Sequence, residues 1–111
     1  MILTRDGAGQ AHLTTTCEHV LLAANLNHKK MLPCRARIRA RSMGAFDGWV
    51  RHDGEEFLYV LTGTVRLWTE FYKPAGIKRG DSACCAALMG HNLISTCDDD
   101  ALVLWITSRK N

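Results

Sequence analysis

Helical periodicity is what this 111-residue sequence most lacks. No stretch keeps the three-to-four spacing of an amphipathic helix. A helix-turn-helix DNA reader needs a few dozen residues of that pattern, and nothing before Glu18 supplies it. Proline is scarce at two residues, and nine glycines are no more than a packed chain uses, which excludes linker and low-complexity classes. No apolar run is long enough to cross a bilayer, and Met1–Asp6 lacks the apolar stretch of a signal peptide. Charge of one sign is also short: fourteen Lys and Arg against eleven Asp and Glu leave a net +3, weak for a surface built to neutralise phosphates. There is no CxxC, and the five cysteines (Cys17, Cys34, Cys84, Cys85, Cys97) are odd in number. All five are therefore read as reduced thiols in a cytoplasmic protein that touches neither membrane nor, by its own residues, nucleic acid.

What is present is a set of short apolar or alternating runs, in a chain that is 47% hydrophobic and sized for one domain. Strands are expected over His19–Asn25, Pro33–Ser42, Trp49–His52, Glu56–Thr62, Thr64–Glu70, Ser82–Ala87, Asn92–Thr96 and Ala101–Thr107. Asn27-His28-Lys29, Asp53-Gly54, Thr62-Gly63, Lys73-Pro74-Ala75-Gly76, Arg79-Gly80 and Asp98-Asp99-Asp100 punctuate them. About eight strands near ten residues apart predict an all-β, antiparallel double-sheet sandwich or barrel. Residues 1–17 are polar and predict a loosely held arm, with the β-barrel domain spanning 18–111.

The richest stretch for chemistry is Gly44-Ala-Phe-Asp-Gly-Trp-Val50-Arg51-His52-Asp-Gly-Glu55-Glu56-Phe57-Leu-Tyr59-Val-Leu-Thr-Gly63. A hairpin with a three-residue Asp53-Gly54-Glu55 connection places His52 and Glu56 opposite each other; a two-residue Asp53-Gly54 turn would give that place to Glu55. Alternation does not choose between them, because both faces of the following strand are mostly apolar.

This stretch resembles the first motif of the cupins, G-x5-H-x-H-x3-E-x6-G, with Gly44, His52, Glu56 and Gly63 in register and Val50 where a histidine is usual. Gly80 and His91 similarly match the second motif, G-x5-P-x-G-x2-H-x3-N, where Ala86, Leu88 and Ser95 replace its Pro, Gly and Asn. Over roughly residues 18–108 the sequence is most similar to the C-terminal cupin domain of XRE-type helix-turn-helix transcriptional regulators. The resemblance implies a jelly-roll barrel with a site in its mouth and favours Glu56 over Glu55. A strand carrying His91 on the same interior completes two imidazoles and one carboxylate, a set that holds Zn, Fe, Mn or Ni with open positions.

The resemblance implies a ligand-sensing module binding a small molecule among His52, Glu56, His91 and Arg51, against Phe57, Tyr59 and Leu88. The rival is a metal-dependent dioxygenase, isomerase or decarboxylase with His52, Glu56 and His91 as ligands. A third reading is a barrel packed solid, its mouth filled by Trp and Leu. Cupins commonly dimerise through sheet faces, and Ala101–Thr107 is apolar on both faces, so a homodimer is expected.

Other features carry less. Arg35, Arg37, Arg39 and Arg41 alternate along one strand face, either as an anion-binding or docking stripe or as a solvated edge. Adjacent Cys84 and Cys85 point to opposite faces of a strand, one of them inward. Trp49, Trp68 and Trp105 are expected as core or interface anchors. Asp98-Asp99-Asp100 lacks the spaced ligands of a calcium loop and is read as a solvated turn. His12, His19 and His28 share no spacing with the site and are left out of it.

Overall fold

The computed structural model describes residues 1–23 and 30–108, and all statements below concern these. Its strands are β1 (Ala11–Leu13), β2 (Cys17–Leu21), β3 (Met31–Ile38), β4 (Glu55–Thr62), β5 (Thr64–Thr69), β6 (Ala75–Lys78), β7 (Ser82–Ala86), β8 (His91–Ser95) and β9 (Ala101–Ser108). One 3₁₀ turn, Met43–Ala45, is the only helical element among them. A six-stranded antiparallel sheet, β1-β2-β3-β9-β4-β7, faces a three-stranded sheet, β6-β5-β8. The predicted double-sheet architecture is thus observed, with the sheets opposed rather than hydrogen-bonded into a continuous barrel.

Period-two alternation explains the large sheet. Along β4, Glu56, Leu58 and Val60 are buried while Tyr59 and Leu61 face out. Register then places Glu56 beside Thr107, Leu58 beside Trp105 and Val60 beside Val103 on β9. On β3 the residues Cys34, Ala36 and Ile38 turn inward, meeting Trp105, Val103 and Ala101. Val65, Leu67, Ile77 and Leu93 close the core from the small sheet. On β9 the inward Ala101 and Val103 are buried, whereas Leu102, Leu104 and Ile106 on the outer face are half-buried. Among the described residues no helix is long and apolar enough to cross a membrane.

The sequence pattern misjudged several segments. The expected hairpin between Trp49–His52 and Glu56–Thr62 does not form. Trp49–His52 makes one isolated bridge, Val50 to His91, and β4 pairs instead with β7 and β9. The reason is a split of hydrogen bonds: Val50 bonds His91, whereas the amide of His52 donates to the carbonyl of Ala87, 3.0 Å away. Gly54 turns the chain at φ +91°, where a Cβ would collide with the Ser108 carbonyl. β6 arises from Ala75–Lys78, half of which reads as a turn after Pro74, because Val65 and Leu67 need an edge partner. Within residues 1–17, Ala11–Leu13 pairs with β2 as an edge strand, and Cys17 reaches the core. The expected turn at Asn27-His28-Lys29 and the end of the expected strand at Asn25 lie outside the described residues.

The arginine stripe is occupied by the molecule itself. Arg35 pairs with Asp6 at 3.3 Å, and Arg37 with both Glu18 and Asp100 at 3.3 and 3.2 Å. Arg39 donates to the carbonyl of Thr14. Arg41 binds Asp100 at 2.9 Å and the carbonyls of Cys97, Asp98 and Asp99. The stripe therefore fastens the first residues and the triple-aspartate turn to the sheet. Each exposed pair contributes under about 1 kcal/mol, so it locates these loops more than it stabilises the fold.

Candidate metal centre

Glu56 is 5% exposed, a carboxylate in an apolar core, and it needs compensation there. The register provides it. Trp105 and Thr107 lie on the same inner face of β9; the Trp105 indole N–H and the Thr107 hydroxyl (3.0 Å) both donate to Oε2. Oε1 is left facing two imidazoles. Nε2 of His52 is in close contact with it, and Nε2 of His91 lies 3.6 Å away.

The tautomers of both rings follow from their other nitrogens. Nδ1 of His52 lies 3.1 Å from the carbonyl of Asp53, and Nδ1 of His91 lies 2.9 Å from the carbonyl of Met89. A carbonyl only accepts, so each Nδ1 carries a hydrogen and each ring turns its Nε2 toward Glu56, as a lone pair when the ring is neutral. Nε2 of His91 is fully buried with no hydrogen-bond partner among the described residues. The three ligand atoms lie within 4.8 Å of one another. Converging lone pairs around one carboxylate oxygen call for a cation between them. The set, two imidazole nitrogens and one carboxylate, with a carbonyl or hydroxyl orienting each ligand from behind, fits a divalent metal.

Burial alone would push Glu56 up, but the contact with His91, the Thr107 hydroxyl, the charge of His52 and the Trp105 N–H outweigh it and hold the carboxyl below its usual range. Burial would likewise lower His91, but Glu56 and the Met89 carbonyl raise it above the usual imidazole value.

The backbone around the two histidines is fixed by an ion pair. Arg51 grips both oxygens of Glu70, one at 2.7 Å, and Glu70 Oε1 accepts the Gly90 amide at 2.7 Å. Gly90 has no room for a side chain, since a Cβ would lie 2.6 Å from Cβ of Trp49. Arg51 precedes His52 and Gly90 precedes His91, so one carboxylate couples the chain segments that carry both ligands.

The cluster opens on a cavity of about 350 Å³ between the sheets, and its walls are mostly apolar. His52, Glu56 and His91 line it, with Val50, Phe46, Leu32 and Ile38. A barrel packed solid with Trp and Leu is therefore not what the chain forms. The structure brings His52, Glu56 and His91 together, with Glu56 rather than Glu55 at His52. It does not bring Arg51, Phe57, Tyr59 or Leu88 to the cavity. Arg51 is engaged by Glu70, Phe57 and Tyr59 lie on the outer face of β4 by alternation, and Leu88 is 59% exposed. Cys84 is exposed beside Glu55, and Cys85 sits opposite Glu56 in register, yet neither lines this cavity. All five thiols are free. Trp105, Thr107, Cys17, Cys34 and His19 do line it and escaped the sequence reading. The alternation Cys17-x-His19-x-Leu21 was the available signal for the β2 residues.

Among solved structures the chain is similar to hydroxypropylphosphonic acid epoxidase from S. wedmorenis, at 15% identity and a TM-score of 0.83, covering 96% of this chain and 59% of that one. It is similar to the Fe(II) form of HppE, at 16% identity and a TM-score of 0.80, covering 96% of this chain and 60% of that one. Ectoine synthase from P. lautus superposes at 13% identity and a TM-score of 0.74, covering 97% of this chain and 78% of that one. At such identities the likeness concerns the fold, and the chain spans under two thirds of the epoxidase. No curated protein sequence matches it. Residues 42–107, more than half the chain and the part that holds His52, Glu56 and His91, match the cupin domain family. The chain is a member of the cupin family.

Proposed function

We propose that this cupin is a metal-dependent enzyme acting on a small, largely apolar molecule that presents an oxygen donor. The observation that carries the reading is the convergence of three lone pairs, from His52, Glu56 and His91, on one point at the wall of an apolar cavity. A divalent ion of the Zn, Fe, Mn or Ni class held there supplies a Lewis-acid or redox centre with positions open toward the cavity. Everything else is the work of the chain. Glu56 contributes the neutralising charge, Trp105 and Thr107 keep its Oε1 aimed inward, and the Asp53 and Met89 carbonyls hold the Nδ1 sides of the rings and so aim both Nε2 atoms at the site. Val50, in the place of a further histidine, presents an apolar wall and leaves room for a substrate.

Metal analysis by plasma mass spectrometry tests the reading. Near-stoichiometric metal in wild type, lost in His91→Ala and Glu56→Gln, is the expected result; protein that stays empty after soaking in each of the four metals overturns it. The resemblance to the effector-binding domain of XRE-type regulators gives the second reading, in which the same cavity holds a small molecule without turning it over. Ligand binding without product formation would assign the chain to that role. The homodimer belongs to the same proposal: Phe57 beside Ile106 and Tyr59 beside Leu104 form an outer apolar face that a second copy would cover. Light scattering should then give twice 12.4 kDa.

A further inference from the structure

The wall of the cavity carries one imidazole with no task yet: His19. It lies half-buried on the inner face of β2 between Cys17 and Leu21, opposite the exposed His12 of β1. The other polar groups of the wall have partners, the Thr16 hydroxyl lying 3.4 Å from that of Thr14. Thr107 serves Glu56, and Asn92 bonds the Gly48 carbonyl at 3.0 Å and accepts from the Val50 amide. The thiols of Cys17 and Cys34 are weak donors in apolar surroundings. An imidazole is a strong donor and a strong acceptor, and a ligand that fills the cavity takes the water away from it. Unless the ligand replaces that water, an unpaired polar group is left behind, which penalises binding.

His19 also stands apart from the metal cluster. In the large sheet β2 is separated from β4 by β3 and β9. Register adds an offset along the strands, since His19 is level with Ala36, Val103 and Val60 whereas Glu56 is level with Thr107 and Leu32. Between them the wall is apolar, formed by Cys34 and Trp105, with Leu32 beside Thr107 at the Glu56 end.

We infer that His19 is a specificity-determining residue, and that the cavity takes an elongated molecule with an oxygen donor at one end, an apolar middle and a hydrogen-bonding group at the other. The inference rests on the metal-site reading, because the first end is anchored by the ion. The ring offers one N–H and one lone pair: burial, and then the charge of His12 across the β1–β2 ladder, keep it neutral near pH 7 against the opposing pull of Glu56.

The test uses protein loaded with Co(II), whose visible spectrum reports the ion's surroundings. Two probe series are titrated, plain alkanoates from butanoate to decanoate and their ω-hydroxy counterparts. Wild type is expected to bind the best-fitting ω-hydroxy probe about tenfold more tightly than the plain alkanoate of equal length. His19→Leu should bring the ratio to about one with cobalt content unchanged, and His19→Gln, which keeps both a donor and an acceptor, should restore part of it. A ratio of one in wild type, or the same preference in wild type and His19→Leu, overturns the inference while leaving the metal site standing. Protein that takes up no cobalt, or whose cobalt spectrum no alkanoate alters, removes the metal-site reading and the inference with it.

Discussion

The two donors behind Glu56 offer a sharp test of how the metal centre is held. Trp105→Phe removes the indole N–H, and Thr107→Val removes the hydroxyl 3.0 Å from Oε2 at nearly constant volume. Each substitution leaves a 5%-exposed carboxylate with a single remaining donor on that oxygen. A hydrogen bond to a charged group is worth about 1.5–3 kcal/mol, so each change should weaken the preference for ionised, inward-pointing Glu56 by roughly that amount. A metal competes with a proton for this carboxylate. Affinity should therefore fall roughly tenfold to a hundredfold, the range expected for the groups that orient metal ligands. The sign for pH follows: losing a donor raises the Glu56 pKa, so the pH at which metal binding is half complete moves upward. Competition with a chromophoric chelator measures both quantities. Thr107→Ser keeps the hydroxyl and should bind metal within about twofold of wild type. If Thr107→Ser loses as much as Thr107→Val, packing rather than the hydrogen bond is at work and the reasoning fails.

Arg51→Ala and Glu70→Gln should each lower metal affinity several-fold although neither residue touches the cavity, because Glu70 joins the segments carrying His52 and His91; the same chelator competition, with unchanged affinity in either variant, would refute the clamp. Val50→His places an imidazole on the cavity wall next to the cluster and should tighten metal binding by roughly tenfold while narrowing the substrate space; weaker binding in that variant would show that Val50 does not face the ion. Burial pushes the Cys17 thiol up to about 12 and the Cys34 thiol up to about 11, from 9.0. Folding stability should accordingly be fully present below pH 9 and then fall by about 1.4 kcal/mol per pH unit for each thiol, until the folded-state values are passed. Urea unfolding between pH 8 and pH 11 checks this, and Cys17→Ala should flatten the decline.

The strands were legible in the sequence where alternation was strict and both ends were punctuated, as at Thr64–Thr69 and along the inward row Glu56, Leu58, Val60. They were illegible where a strand exists only because a neighbour needs an edge. Ala75–Lys78 has almost no side-chain pattern of its own, and β1 is three exposed residues held by ladder bonds to β2. The site was legible through motif spacing for its three ligands only. Arg51 sits beside a ligand in sequence, but its guanidinium follows the nearest unsatisfied carboxylate, Glu70, which is nineteen residues away along the chain. Phe57 and Tyr59 neighbour Glu56 in sequence, yet period two sends them to the opposite face. Trp105 and Thr107 became part of the site only through the β4–β9 register, a long-range property that no local window contains.

That register also explains why a site with one histidine fewer than the family pattern can remain well ordered. A ligand on a loop must be fixed by its own contacts, whereas Glu56 is fixed by a ladder that simultaneously supplies its two donors from β9. His91 begins β8 and is locked by the paired bonds to Val50 at 3.1 and 3.2 Å. Only His52 hangs on an irregular segment, and that segment is tied to Ala87 by its own amide and to Glu70 through Arg51. Val50 holds His91 through its backbone while its side chain gives the cavity an apolar wall. Under the proposed metal reading, a valine in place of a further imidazole trades metal affinity for room beside the ion.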